Sequence, residues 1–116
     1  MQENGNWMGD AWGLNSAAWD VFLHCSDRKI ISKALAWSEL SIKLEEPDPN
    51  VQYLDTKANL LYRLGRVQEA IDWEKKAIEV GIANAKKRGR EKGDFFDEYT
   101  ATVDKMKKGE PTWPLK

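Results

Sequence analysis

The chain has 116 residues, 41% of them hydrophobic and 32% charged, and its formal net charge at pH 7 is −1. This length suits one domain with a single core, and the near-neutral charge removes the simplest electrostatic reason to expect nucleic acid or an anionic membrane as a partner. A single cysteine excludes an intrachain disulfide and a CxxC motif, and no apolar run approaches the roughly 20 residues that span a bilayer.

Two segments recur along the chain, which indicates a helical-repeat protein. Residues 14–22 (LNSAAWDVF) align with residues 54–62 (LDTKANLLY), and residues 34–44 (ALAWSELSIKL) align with residues 70–80 (AIDWEKKAIEV). The offset is 40 residues for the first pair and 36 for the second, so the first copy has a turn that is four residues longer. In a helix–turn–helix repeat, the length of the turn is expected to vary between copies while the two flanking helices are kept.

Repeat one covers residues 10–45 and contains the first two predicted helices. Asp10 is placed to cap the first helix, and either Ser26 or Asp27 to cap the second, because short side chains with an acceptor oxygen satisfy the free N–H groups there. Ala18 is one of the small residues that would let the two helix backbones approach closely.

Repeat two covers residues 50–81 and contains the next two predicted helices. Asn50 is placed to cap a helix that starts at Val51, along which apolar residues recur three and four positions apart. Gly65 stands where the chain needs a left-handed residue to close that helix. In the following helix, Ala70 is the small residue that corresponds to Ala34 of repeat one.

A linker and a capping helix are predicted at residues 82–109, followed by a tail at residues 110–116. Residues 82–93 have two interpretations, an extension of the fourth helix or a separate frayed helix. Asp94 is placed to cap the last helix and Gly109 to close it. Because an open helical stack leaves one end exposed, we expect the last helix to cover repeat two.

Repeat two resembles a tetratricopeptide repeat. Small, apolar and glycine residues stand at the spacing of that motif: Leu54, Ala58, Leu61, Gly65, Ala70, Ile71, Ala77 and Ile78. Repeat one is more degenerate, and Glu74 of repeat two stands where an aromatic residue is usual. The resemblance implies an all-α fold of two antiparallel helix hairpins with a C-terminal capping helix, arranged as a right-handed α–α superhelix.

A narrower likeness concerns the segments LDTKANLLYRLGRVQEAIDWEKKAI and YTATVDKMKKGEPTW. Together they are similar to the helical C-terminal region of certain bacterial thioredoxin-family proteins, in which a thioredoxin domain with its own CxxC lies upstream, usually behind an export signal. Neither feature is present in this sequence. The likeness implies an accessory domain in the periplasm or cell envelope; without such a parent, the expected location is the cytoplasm.

Candidate catalytic and metal-binding residues are few. His24 and Cys25 are adjacent, but neighbouring helix positions point about 100° apart, so the two side chains do not form a nucleophile–base pair. One histidine and one cysteine provide no zinc motif, and the carboxylates do not form a calcium loop. The basic run at residues 86–92 is interpreted as solvated helix surface, since acidic residues follow at once and aromatic interleaving is missing. We therefore expect no enzyme, cofactor, metal or nucleic acid.

The first helix of each repeat supplies the candidate binding surface. In tetratricopeptide stacks these helices line a concave face that holds extended peptides. By this resemblance, repeat one offers Trp12, Asn15, Trp19, Phe22 and Leu23. Repeat two offers Gln52, Asp55, Asn59, Tyr62 and Arg63. Asn59 stands where some family members clamp a peptide carboxylate, but Asp55 replaces the usual lysine, which argues against such a clamp.

Two interpretations of the aromatic residues on this face stay open. Trp19 and Phe22 either contact a ligand or are buried beneath another segment, such as the N-terminus of the chain or an upstream domain. The expected function is a non-catalytic scaffold for protein–protein or intramolecular domain interaction. The alternative is the accessory domain of a larger thioredoxin-like thiol-disulfide oxidoreductase. The sequence predicts a protein, a peptide or an upstream domain as the partner, and it gives no oligomeric state.

Overall fold

The computed structural model describes residues 10–46, 50–89 and 96–113. These ranges contain five α-helices and no strand, which confirms the predicted all-α fold. The helices are α1 Ala11–His24, α2 Arg28–Leu44, α3 Val51–Arg63, α4 Val67–Lys87 and α5 Phe96–Lys108. No helix among the described residues is both long and apolar enough to cross a membrane.

The predicted N-terminal caps fix where the first three helices begin. Asp10, Asp27 and Asn50 each accept a hydrogen bond from the backbone N–H two residues further on, at 3.2, 2.8 and 2.9 Å. Of the two candidates for the second cap, Asp27 is therefore the one used, and α3 starts at Val51 as predicted. Asp94, the predicted cap of the last helix, lies outside the described residues.

The turn between α3 and α4 depends on the conformation of one glycine. Gly65 has a φ of +86°, in the left-handed region that side chains with a Cβ rarely adopt. The backbone N–H of Gly65 donates to Tyr62 O at 2.9 Å, and that of Arg66 donates to Leu61 O at 3.0 Å. These two bonds satisfy carbonyl groups at the end of α3, so only three residues separate α3 from α4.

Alanines at the contacts between consecutive helices are completely buried, as the repeat pattern predicts. These are Ala18, Ala34, Ala58 and Ala70. Larger apolar side chains surround them in one core cluster, which includes the fully buried Phe22 and Leu60. The small residues bring the helix backbones close together, and the larger ones fill the flanks.

The last two helices, α4 and α5, complete the core. Helix α4 continues through Gly81 to Lys87, so the first interpretation holds for residues 82–87, and residues 88–89 form a turn. Next, α5 packs against α4 and buries Tyr99, Val103 and Met106. Gly109 ends α5 with a φ of +74°, as predicted.

Candidate functional site

Two adjoining cavities lie on the face formed by α1, α3 and α5, which we call the α1–α3–α5 face. The larger cavity has a volume of about 370 Å³ and the smaller about 280 Å³. Both are bounded by Trp19, Asp55 and Glu98, so they form one continuous depression. Six predicted surface residues line the larger cavity: Trp12, Asn15, Trp19, Leu23, Gln52 and Asp55. Asn59 lines the smaller one.

Helical spacing explains why these side chains meet. Along α1 the lining positions 12, 15, 16, 19 and 23 recur three or four residues apart, and along α3 positions 52, 55 and 56 do the same. The third wall was not predicted. Glu98 and Tyr99 of α5 line the larger cavity, although the sequence pattern indicated only a capping role for that helix.

The charge of the larger cavity is negative. Its described lining contains the carboxylates of Asp20, Asp55 and Glu98, one from each helix, and no basic side chain. Lys105 lines only the smaller cavity. Asn59 orients Asp55, because its Nδ2 donates both to Asp55 Oδ1 at 3.0 Å and to Asp55 O at 2.8 Å. The Asp55 carboxylate also shares a hydrogen bond with the buried carboxyl of Glu74.

One wall of the larger cavity contains an unpaired acceptor. Asn15 is 7% exposed, and its Oδ1 has no hydrogen-bond partner. Buried side-chain oxygens in proteins are nearly always hydrogen-bonded, because an unpaired acceptor loses its water without replacement. Asn15 Oδ1 therefore requires a donor that the described part of the chain does not supply.

A buried acid lies behind Asp55. Glu74 of α4 is fully buried, and its carboxyl shares a hydrogen bond with the carboxylate of Asp55. Burial, and next the negative charge of Asp55, raise the pKa of Glu74 far above its ordinary value, so the carboxyl is neutral at pH 7. Burial also raises the pKa of Asp55 and of Tyr99.

The C-terminal tail covers the far end of the α1–α3–α5 face. The Trp113 ring lies with its centroid 6.3 Å from that of Phe22 and 6.1 Å from that of Tyr62. The hydroxyl of Tyr62 donates to Glu110 O at 2.6 Å, which fastens the tail to α3. Of the two interpretations of Phe22, burial is therefore the one observed, and the covering segment is the C-terminal tail.

Arg63 is also occupied within the chain. Its guanidinium lies 4.3 Å from the centroid of the Trp113 ring and donates from Nη1 to Phe22 O at 3.0 Å. Thus Phe22, Tyr62 and Arg63, which were predicted to face a partner, line neither cavity. Trp19 stacks on Phe22 with centroids 4.9 Å apart and still borders both cavities.

The adjacent His24 and Cys25 lie at the end of α1. His24 Nδ1 is 3.2 Å from Asp20 Oδ1, and both side chains are exposed. Among the described residues, no group of three or more His, Cys, Asp or Glu side chains is arranged to hold a metal ion. Residues 90–92 of the basic run lie outside the described residues.

Comparisons of the chain with models of protein families, with curated proteins and with solved structures find no match. The side chains around the two cavities provide aromatic walls, three carboxylates and one unpaired amide oxygen.

Proposed function

We propose that the chain is a non-catalytic module of tetratricopeptide-like helix pairs, stacked as a right-handed superhelix, whose α1–α3–α5 face binds a polypeptide segment. The recurring helix pairs, the buried alanines at their contacts and the glycine turn support the repeat arrangement. One observation carries the binding function. Seven residues predicted for the concave face line the two cavities: Trp12, Asn15, Trp19, Leu23, Gln52, Asp55 and Asn59.

The sizes of the cavities support a polypeptide as the occupant. At about 370 and 280 Å³, they lie at the lower limit of the roughly 300–1,000 Å³ typical of small-molecule sites. Cavities of this size accommodate side chains better than they accommodate a large cofactor. Two neighbouring cavities in one depression suit two side chains from a single extended segment, since alternate residues of such a segment point the same way.

Peptides selected from a random displayed library would test this function, with the tryptophan indole N–H signals in NMR spectra as reporters. We expect enriched peptides to shift the signals of Trp12 and Trp19, which line the larger cavity. The signals of Trp37 and Trp73, which lie on α2 and α4, are the internal control. The proposal fails if no peptide is enriched, or if the selected peptides shift only the control signals.

A second proposal follows from the exposure of Trp12. This residue is 54% exposed in the first turn of α1, beside the larger cavity. In the arrangement implied by the likeness to thioredoxin-family proteins, a neighbouring domain of the same polypeptide covers Trp12 and occupies the face. The intact mass of the native polypeptide tests this arrangement. A mass well above that of 116 residues supports it, and a mass equal to that of 116 residues excludes it.

A further inference from the structure

We propose that the larger cavity binds the guanidinium group of an arginine side chain in the partner polypeptide. This inference rests on the proposed function, because it assumes that a polypeptide occupies the α1–α3–α5 face. It goes further by naming the residue that the cavity selects.

The first argument is the charge of the walls. Asp20, Asp55 and Glu98 approach the cavity from α1, α3 and α5, and the described lining contains no basic side chain to neutralise them. Among the described residues, no cation lies within ion-pair distance of Asp55 or Glu98. Like charges in one depression repel each other and attract a cation, and they disfavour a peptide carboxylate.

The second argument is independent of charge. Asn15 is more than nine-tenths buried, lines the same cavity and has an Oδ1 acceptor without a partner. The missing partner must be a hydrogen-bond donor. Asn15 Oδ1 is itself closed to solvent, so the amide must turn toward the cavity to accept from a ligand. A guanidinium has five N–H donors in one plane, so it can then donate to Asn15 and to a carboxylate at the same time.

The third argument distinguishes arginine from lysine. Trp12 and Trp19 supply indole walls, and a guanidinium stacks on such rings while its methylene groups cover their apolar surface. The ammonium of lysine is more strongly hydrated and presents no planar face, so its transfer into an aromatic cavity is less favourable. The chain itself contains this pairing elsewhere, where the guanidinium of Arg63 lies 4.3 Å from the centroid of the Trp113 ring.

The position of Asp55 completes the geometry. Its Oδ1 accepts from Asn59 at 3.0 Å, and the carboxylate also shares a hydrogen bond with Glu74 behind it. These two contacts hold the carboxylate at the border of the two cavities. Burial raises the pKa of this carboxyl, and a guanidinium beside it would lower that pKa again. Asp55 is thus the carboxylate that gains most from a bound cation, and its replacement is the sharpest test.

The test uses acetylated and amidated Gly-Gly-X-Gly-Gly peptides, with X as arginine, lysine or the uncharged isostere citrulline. Binding to the whole chain is followed through the indole signals of Trp12 and Trp19. We expect a saturable shift with the arginine peptide, weaker binding of the lysine peptide and at least tenfold weaker binding of the citrulline peptide. Equal binding of the citrulline and arginine peptides would overturn the proposal. Free agmatine binding as tightly as the arginine peptide would overturn the assignment to a polypeptide.

Variants then locate the cation. Asp55→Asn is expected to weaken binding of the arginine peptide about tenfold, as expected for loss of a charged hydrogen-bond partner. The matched control is Asp104→Asn, an exposed position on α5 that lines neither cavity, and its effect is expected to stay below twofold. Glu98→Gln, an exposed change that is not expected to disturb folding, should weaken binding in the same direction as Asp55→Asn. Unchanged affinity in both cavity variants would refute the site.

Different results would refute the binding function and the arginine specificity of the larger cavity. If library peptides bind the α1–α3–α5 face and tolerate replacement of their arginines by citrulline, the arginine cavity is wrong and the binding function stands. If neither the library nor the arginine peptide shifts Trp12 and Trp19, the binding function itself fails.

Discussion

Glu74 provides the strongest test of the electrostatics in this fold. The side chain is fully buried on α4, it shares a hydrogen bond with the Asp55 carboxylate, and burial keeps its pKa far above the ordinary value of 4.5. The folded protein therefore holds a proton on Glu74 that the unfolded chain releases at neutral pH. Replacing Glu74 by glutamine gives a side chain of nearly the same shape that is neutral in both states, so the substitution removes this cost.

The size of the effect follows from the ordinary pKa. Protonating a carboxyl with a pKa of 4.5 at pH 7 costs about 3.4 kcal/mol, at 1.36 kcal/mol for each of the 2.5 pH units. Both the neutral carboxyl and the amide bury a polar group, so their other burial costs largely cancel. We expect Glu74→Gln to raise the free energy of unfolding by about 3 kcal/mol at pH 7, an order-of-magnitude figure based on this proton uptake.

The pH dependence identifies the cause. A carboxyl whose pKa is raised in the folded state makes the folded protein bind more protons than the unfolded chain, so its cost grows as the pH rises above the unfolded value. The advantage of Glu74→Gln should be close to zero near pH 4, about 1.4 kcal/mol at pH 5.5 and about 3.4 kcal/mol at pH 7. Urea unfolding followed by circular dichroism at these three pH values measures it.

A matched substitution on the same helix separates this effect from a general loss of charge. Glu79 is exposed on α4, and Glu79→Gln is expected to change the free energy of unfolding by no more than about 0.5 kcal/mol at any of the three pH values. A Glu74→Gln variant that is less stable than the wild type at pH 7 would refute the reasoning, because the carboxyl would then be ionised and favourably paired. A stability gain of Glu74→Gln that does not change with pH would also refute the reasoning.

Three further predictions concern the scaffold. Gly65→Ala should lower the free energy of unfolding by about 1–2 kcal/mol, because alanine rarely adopts a left-handed φ. No atom lies within 4 Å of the added Cβ, so no steric clash adds to this cost. Urea unfolding measures it, and an unchanged midpoint would contradict the left-handed turn. Asp27→Ala should cost about 1 kcal/mol by loss of the cap of α2, again measured by urea unfolding, whereas a neutral result would remove Asp27 as the cap. Tyr62→Phe should cost about 1 kcal/mol and change the Trp113 fluorescence, since the hydroxyl bond to Glu110 O is lost. Unaltered fluorescence and stability would show that this bond does not hold the tail.

The sequence was sufficient for the features that depend on local chemistry. The caps at Asp10 and Asn50, the turn at Gly65 and the end of α5 at Gly109 all follow from the backbone needs of a helix terminus, which a few neighbouring residues satisfy. The small-residue contacts between helices were also predictable, because they recur in both copies. Ala18 and Ala58 occupy corresponding positions, and both are completely buried.

The α1–α3–α5 face was predicted only in part, and the missing part depends on contacts between distant segments. The lining positions of α1 and α3 share one helical face each, so spacing alone found them. The covering of Phe22 and Tyr62 by Trp113 joins residues far apart in the chain, and no local pattern indicates it. The same holds for Glu98, which reaches the cavity because α5 packs back on the helices before it.

The sequence shows that Glu74 is an unusual residue for its position, but it does not show whether the side chain is exposed or buried. Its position departed from the repeat pattern, since an aromatic residue is usual there. A charged residue at such a position is either turned toward water or buried at a cost, and only the packing decides between them. In the structure it is fully buried, close to Asp55 of the adjacent helix.

The buried polar atoms without a hydrogen-bond partner lie at the α1–α3–α5 face and are not spread over the helix contacts in general. Between α2 and α3 the buried hydroxyls are paired, with Ser41 Oγ donating to Ser38 O at 2.6 Å and Ser38 Oγ to Tyr53 O at 3.4 Å. By contrast, Asn15 and Thr112 have unpaired oxygens in the walls of the two cavities. Local rules of polar satisfaction are most often broken at functional sites. A ligand that donates N–H groups to such acceptors would stabilise the folded chain on binding.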